Sequence, residues 1–298
     1  MAADLDLRGV YVPLITPFAA DGSVALDAIE HLCGEYLGAG ATGIVALGTT
    51  GESPALNAQE RHDVISACAS VCAAKGAQLI VGAGTNNTAT TVEALTALEG
   101  TPALAGTLVV VPYYVRPAQK AIVEHFRVAA AASPVPVVVY NIPMRTGRNL
   151  EPAAMLEVAA LDNVAGVKQA TAGLDLDTLE ILAGRPDGFH VLGGEDPFLF
   201  PVVLMGGSGA ICASSHLCTE RFVAMIECGL AGKVDDGRAH AEMLLPVVTA
   251  GFAEPNPAVF KGVLHRQGRI PTPDLRLPLT PASDEAVDRA LAAVQTAS

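Results

Sequence analysis

Hydrophobic positions along the chain fall into short β-branched runs, each followed by a longer alanine- and leucine-rich stretch with helical spacing. The runs cover residues 10–16, 43–47, 78–83, 107–111, 135–140, 164–168, 189–192 and 209–212. The intervening spacing predicts helices over 26–37, 57–74, 90–99, 119–132, 152–161, 175–183, 198–205 and 221–230. Asn57, three residues before Glu60, reads as an N-cap with a reciprocal carboxylate. An open doubly wound sheet alternates in the same way. Eight units of nearly even length match a closed (β/α)8 TIM barrel better. The expected organisation is α/β, with a barrel over 1–231 and a C-terminal helical extension over 232–298. Prolines 271, 273, 278 and 281 interrupt the extension, which is expected to pack on the barrel.

Composition narrows the function classes. With 51% hydrophobic residues in 298, the chain can bury a large core. A formal net charge of −13 argues against nucleic-acid partners, which demand concentrated lysine and arginine. No apolar run reaches the roughly 18 residues of a membrane span; residues 128–140 are broken by Ser133, Pro134 and Pro136. The opening residues carry Asp4 and Asp6 and lack a signal-peptide pattern, so the expected location is cytoplasmic. Six cysteines lie in Ala/Val/Leu-rich surroundings without paired CxxC spacing, and no HxxxH occurs. Reduced, buried thiols and no metal site are expected.

In such barrels the active site lies at the carboxyl ends of the strands. Those ends carry Thr49, Thr50, Asn86, Tyr113, Tyr114, Tyr140, Arg145, Lys168, Glu195, Asp196 and Ser214. Hydroxyls dominate, with one strand-terminal lysine and one arginine just beyond a strand. A lysine in an apolar barrel is pushed toward its neutral form, which attacks a ketone and forms an imine. The iminium is an electron sink, and a neighbouring tyrosine can shuttle the protons. Each residue also has a plainer reading. Lys168 could end its strand as an ion pair with Glu195 or Asp196, and Tyr140 could be a core aromatic. Thr49 and Thr50 could cap a turn, and Glu195 and Asp196 could cap a helix or bind a metal.

Four ordered motifs tie these residues together: GTTGES (48–53), PYY (112–114), YNIPMRTG (140–147) and GVKQAT (166–171). On them the chain resembles the dihydrodipicolinate synthase / N-acetylneuraminate lyase family of class I, Schiff-base aldolases. EPNPAVFK (254–261) and LRLPLTP (275–281) resemble its synthase branch.

The resemblance implies that Lys168 forms the imine with pyruvate and Tyr140 transfers protons. Thr49 and Tyr114 would relay protons, Tyr114 from a neighbouring subunit of a homotetramer built from dimers. Thr50 would hold the pyruvate carboxylate, Arg145 would bind the carboxylate of L-aspartate 4-semialdehyde, and Gly194 and Ile211 would line the pocket. No metal or organic cofactor is implied, and the partners are small-molecule substrates, pyruvate and an aldehyde. The implied role is condensation of the two in lysine and diaminopimelate biosynthesis. The alternatives are another pyruvate-dependent aldolase, lyase or dehydratase acting on a keto acid, and a catalytically silent keto-acid-binding relative.

Some positions depart from the pattern. Gln169 stands where an acid usually follows the lysine, Ala172 replaces a common glycine, and Glu195 alters a Gly-Asp-Asp sequence. Ala58, Arg61 and Val92 occupy positions that serve a lysine effector in regulated relatives, so feedback by lysine is expected to be weak or absent.

Overall fold

The computed structural model describes residues 5–297. Eight parallel strands close on themselves in chain order. They are β1 (Gly9–Pro13), β2 (Gly43–Ala46), β3 (Gln78–Gly82), β4 (Leu104–Val110), β5 (Val137–Asn141), β6 (Val164–Gln169), β7 (His190–Gly193) and β8 (Gly209–Ile211). The helices between them are α1 (Leu26–Gly38), α2 (Ala58–Lys75), α3 (Thr88–Thr96), α4 (Gln119–Ala132), α5 (Pro143–Thr146), α6 (Pro152–Ala159), α7 (Leu176–Gly184) and α8 (Leu199–Leu204). After β8 come α9 (Thr219–Leu230), α10 (Val234–Gly251), α11 (Ala258–Arg266) and α12 (Asp284–Ala297). The fold is the (β/α)8 barrel that the alternation predicts.

Each strand is buried on both faces, which is why it reads as a short continuous apolar run. One side chain per strand meets in the barrel interior: Tyr11, Val45, Ile80, Leu108, Val138, Ala165, Leu192 and Ile211. Leu7 joins this cluster ahead of the first strand. Val12, Ile44, Val81, Val109, Val139, Val167 and Val191 face the other way, into the layer beneath the helices. That outer layer continues into the C-terminal helices through Val247, Phe260, Val263 and Val287.

Two local details differ from the spacing. The first strand stops at Pro13, because the Ile15 N–H bonds to His216 Nε2 (3.2 Å) and the Thr16 hydroxyl donates to the Gly51 carbonyl (2.7 Å). Residues 143–146, expected as loop, form one helical turn. Pro143 starts it and Gly147 ends it at φ 71°, a left-handed conformation that suits glycine. The proline-rich stretch 267–283 has no helix, as its prolines predict. Asn57 and Glu60 likewise form the expected capping box, each side chain accepting the other's backbone N–H at 3.0 and 2.9 Å.

Candidate active site

Parity along β6 decides what its end can do, because successive side chains of a strand face opposite sides. Lys168 shares the barrel interior with Tyr140, its cross-strand partner on β5. Lys168 is 7% exposed, and its Nζ stands 4.3 Å from the centre of the Tyr140 ring. No hydrogen bond or ion pair to Lys168 is present among the described residues, so the strand-end ion pair weighed for it is not formed.

Gln169, one residue on, faces the opposite side. Its Oε1 accepts from Asn141 Nδ2 (3.1 Å) and its Nε2 donates to Thr178 Oγ1 (3.4 Å). The network extends through Asn149 to Asp177 at the start of α7. Gln169 therefore belongs to the strand–helix layer and not to the pocket.

The other predicted positions surround the lysine unevenly. Gly194 lies directly against it: a Cβ there would sit 3.0 Å from both Cγ and Cε of Lys168 and 2.9 Å from the Ala170 methyl. Ile211 is fully buried in the interior cluster that contains Tyr140. Thr49 and Thr50 open a 3-10 turn (Thr49–Gly51) after β2, Thr50 buried and Thr49 half-buried. Arg145 is exposed on α5, where its charge reaches Glu195. Tyr114 is 87% exposed, at φ 71°, and does not join the site of its own chain. Its N–H bonds to the Thr146 carbonyl (3.2 Å), which ties the PYY loop to α5.

Glu195 and Asp196 open a 3-10 turn, and neither side chain caps it. The Asp196 side chain reaches across to β8's loop, where Oδ2 accepts from the Ser214 N–H (2.7 Å). Burial pushes the Asp196 carboxyl above the usual carboxylate range, against the pull of Ser214 and the Lys168 charge. Burial and the neighbouring Asp196 push Glu195 up as well, against Lys168 and Arg145. No group of His, Cys, Asp and Glu among the described residues is arranged to hold a metal ion. Chemically, the mouth offers a buried primary amine beside a phenol, with a hydroxyl-bearing turn nearby. That set suits imine formation and proton transfer at a carbonyl.

Three further residues brace this mouth and had no role in the sequence reading: Glu52, Asn256 and Lys261. Asn256 Nδ2 donates to Thr50 Oγ1 (3.0 Å). Lys261 Nζ donates to Glu52 Oε1 (2.6 Å) and to the Asp274 carbonyl (2.7 Å), and the Arg276 N–H bonds Glu52 Oε2 (2.9 Å). The available signal was a lysine inside the apolar stretch AVFKGVL (258–264), where a buried charge demands a partner.

Comparison with known proteins agrees with this geometry. The model of the dihydrodipicolinate synthetase family matches residues 6–297. The 4-hydroxy-tetrahydrodipicolinate synthase 2 of Clostridium acetobutylicum is 38% identical over 286 residues, 94% of this chain and 96% of that one. The 4-hydroxy-tetrahydrodipicolinate synthase of Moorella thermoacetica is 37% identical over 288 residues, covering 96% and 97%. The crystal structure of dihydrodipicolinate synthase from Thermotoga maritima superposes with a TM-score of 0.94 at 32% identity, covering 98% and 99%. The chain belongs to the dihydrodipicolinate synthetase family.

Proposed function

We infer that the protein is a Schiff-base lyase that condenses pyruvate with L-aspartate 4-semialdehyde to 4-hydroxy-tetrahydrodipicolinate, in lysine and diaminopimelate biosynthesis. The observation that carries this reading is the buried, unpaired Lys168 beside Tyr140 at the barrel mouth, in a chain matched to the family end to end.

The Lys168 amine attacks the pyruvate ketone, and loss of water leaves an iminium. Tyr140 moves the protons for addition and dehydration, with Thr49 and Tyr114 of a second copy as relay. Thr50 holds the pyruvate carboxylate. Loss of a methyl proton to this relay gives the enamine, whose carbon attacks the aldehyde. Arg145 binds the carboxylate of that aldehyde, a task its planar fork suits. Gly194 and Ile211 leave room for the adduct. The substrate's own amine then displaces Lys168 and closes the ring. The iminium is itself the electron sink, so the route uses no metal or organic cofactor.

A homotetramer built from dimers fits the exposed rim, where Tyr113, Tyr114, Val115 and Met144 present apolar surface. The protein works in the cytoplasm; no helix among the described residues is long and apolar enough to cross a membrane. Lysine feedback is weak or absent, with Ala58 and Arg61 on α2 and Val92 on α3 at the positions that serve a lysine effector in regulated relatives. Inhibition by sub-millimolar lysine refutes that part.

Borohydride reduction in the presence of pyruvate, followed by peptide mass analysis, tests the chemistry. A pyruvate adduct on Lys168, and its loss in Lys168→Ala, is expected. Absence of the adduct in the unaltered protein refutes the reading. An adduct without turnover of the semialdehyde, together with turnover of a sugar keto acid, selects a different aldolase.

A further inference from the structure

The turn that carries Thr50 is held from outside the barrel, and the way it is held has chemical content. Thr50 has one hydroxyl proton. Its oxygen accepts from Asn256 Nδ2 at 3.0 Å, and among the described residues no acceptor takes the Thr50 proton. A hydroxyl that accepts on one side and keeps its proton free is set up to donate. Asn256 Oδ1, in turn, is buried with no partner among the described residues. An asparagine placed only to bridge two segments would be expected to satisfy both ends, since an orphaned buried acceptor is costly. Here the donor end is used and the acceptor end is sacrificed.

The rest of the turn is fixed by charge. Glu52, two residues after Thr50, sits in the left-handed region at φ 51°, a conformation that a non-glycine residue keeps only when its surroundings hold it. What holds it is Lys261 on Oε1 and the Arg276 N–H on Oε2, with Thr16 donating to the Gly51 carbonyl between them. Lys261 also lies 4.1 Å from the centre of the Phe18 ring. Burial brings its ammonium down to about 8 despite the pull of Glu52. Such a pair is an expensive way to build a core compared with an apolar one, and position is what it supplies.

We propose that Asn256 is a positioning residue of the pyruvate-carboxylate site: its amide turns the Thr50 hydroxyl proton toward the ligand, while the Glu52–Lys261 pair keeps the turn in place. The proposal rests on the functional reading above, in which Thr50 receives that carboxylate. It makes the C-terminal segment, more than 200 residues away in sequence, a working part of the barrel mouth.

The test is the pyruvate concentration that half-saturates borohydride trapping on Lys168, a readout independent of the aldehyde. Asn256→Ala is expected to raise it about tenfold, the scale of a hydrogen bond to a charged group. Asn256→Asp, which keeps the shape but cannot donate, is expected to raise it at least as much. It also serves should the alanine variant fold poorly. Thr50→Val is expected to raise it by a similar factor, and Thr50→Val/Asn256→Ala no further, because Asn256 acts only through that hydroxyl. The KM for the semialdehyde is expected to stay within roughly twofold, which a general loosening of the mouth would not spare. Trapping of Asn256→Ala and Asn256→Asp at the unaltered concentration overturns the proposal. So do effects of Thr50→Val and Asn256→Ala that multiply. A wild-type protein that forms no adduct at all overturns the functional reading itself, a result distinct from either of these.

Discussion

Replacing Lys261 with methionine removes one charge from the pair that joins α11 to the turn after β2. The side chains of Lys261 and Glu52 are 0% and 1% exposed, so water cannot replace the lost ammonium. Methionine keeps most of the aliphatic stem and loses the ammonium over the Phe18 ring, so the packing loss is small beside the loss of the charge. What remains is a buried carboxylate with one N–H, from Arg276, in place of two donors. Breaking a buried pair on one side costs about 3–5 kcal/mol. At about 2 °C per kcal/mol for a chain of this size, the melting temperature should fall by roughly 6–10 °C. Adding Glu52→Gln removes the stranded charge while its carbonyl oxygen can still accept from Arg276. The double variant should therefore recover at least about 2 kcal/mol relative to the sum of the singles. Urea unfolding of all four proteins, monitored at two wavelengths, completes the cycle. A loss below about 1 kcal/mol in Lys261→Met, or strict additivity, refutes the reasoning.

Other perturbations probe separate parts of the molecule. Gly194→Ala drives a methyl into Lys168 Cγ and Cε and should cut the rate of pyruvate trapping by about 10- to 100-fold, as misplacement of a reacting group does; an unchanged rate would show that the lysine can move aside freely. Gln169→Glu should cost about 1–3 kcal/mol by disturbing the Asn141–Thr178 network, with both KM values within roughly twofold; a shift in aldehyde preference would place this residue in the pocket after all. Burial holds His216 neutral, its pKa pushed down to about 4 from an unfolded value of 6.5. Between these values the unfolded chain binds more protons, so stability is whole above 6.5 and drains away as pH falls toward 4. From pH 7 to pH 4.5 the wild type should lose about 2 kcal/mol more than His216→Gln, measured by urea unfolding at both pH values; equal losses would contradict it.

The barrel is legible because the strands are buried on both faces, and each apolar run gives way within a few residues to glycine, proline or polar side chains. The same strand ends bring Lys168 and Tyr140 together from the sequence alone. Orientation was not legible. Whether Lys168 or Gln169 faces the interior depends on the register of β6 against β5, which shifts between Val137 and Val138. Periodicity within one strand does not carry that information. The bracing of Thr50 was hidden for a different reason: Asn256 and Lys261 approach it across 206 and 209 residues, and nothing local distinguishes them. The relay role of Tyr114 rests on likeness alone, since within one chain the residue is 87% exposed.

The seam between β8 and β1 has a consequence for how the chain comes to be folded. His216 donates from Nδ1 to the Ala213 carbonyl (2.8 Å) and accepts the Ile15 N–H on Nε2, stapling the last βα turn to the first strand's exit. Until residues 209–216 have left the ribosome, β1 has a bare parallel edge along Gly9–Tyr11, and the Ile15 amide lacks its acceptor. The nascent protein therefore carries an open, sticky flank for most of its synthesis. That flank is the segment on which a chaperone has the longest opportunity to act.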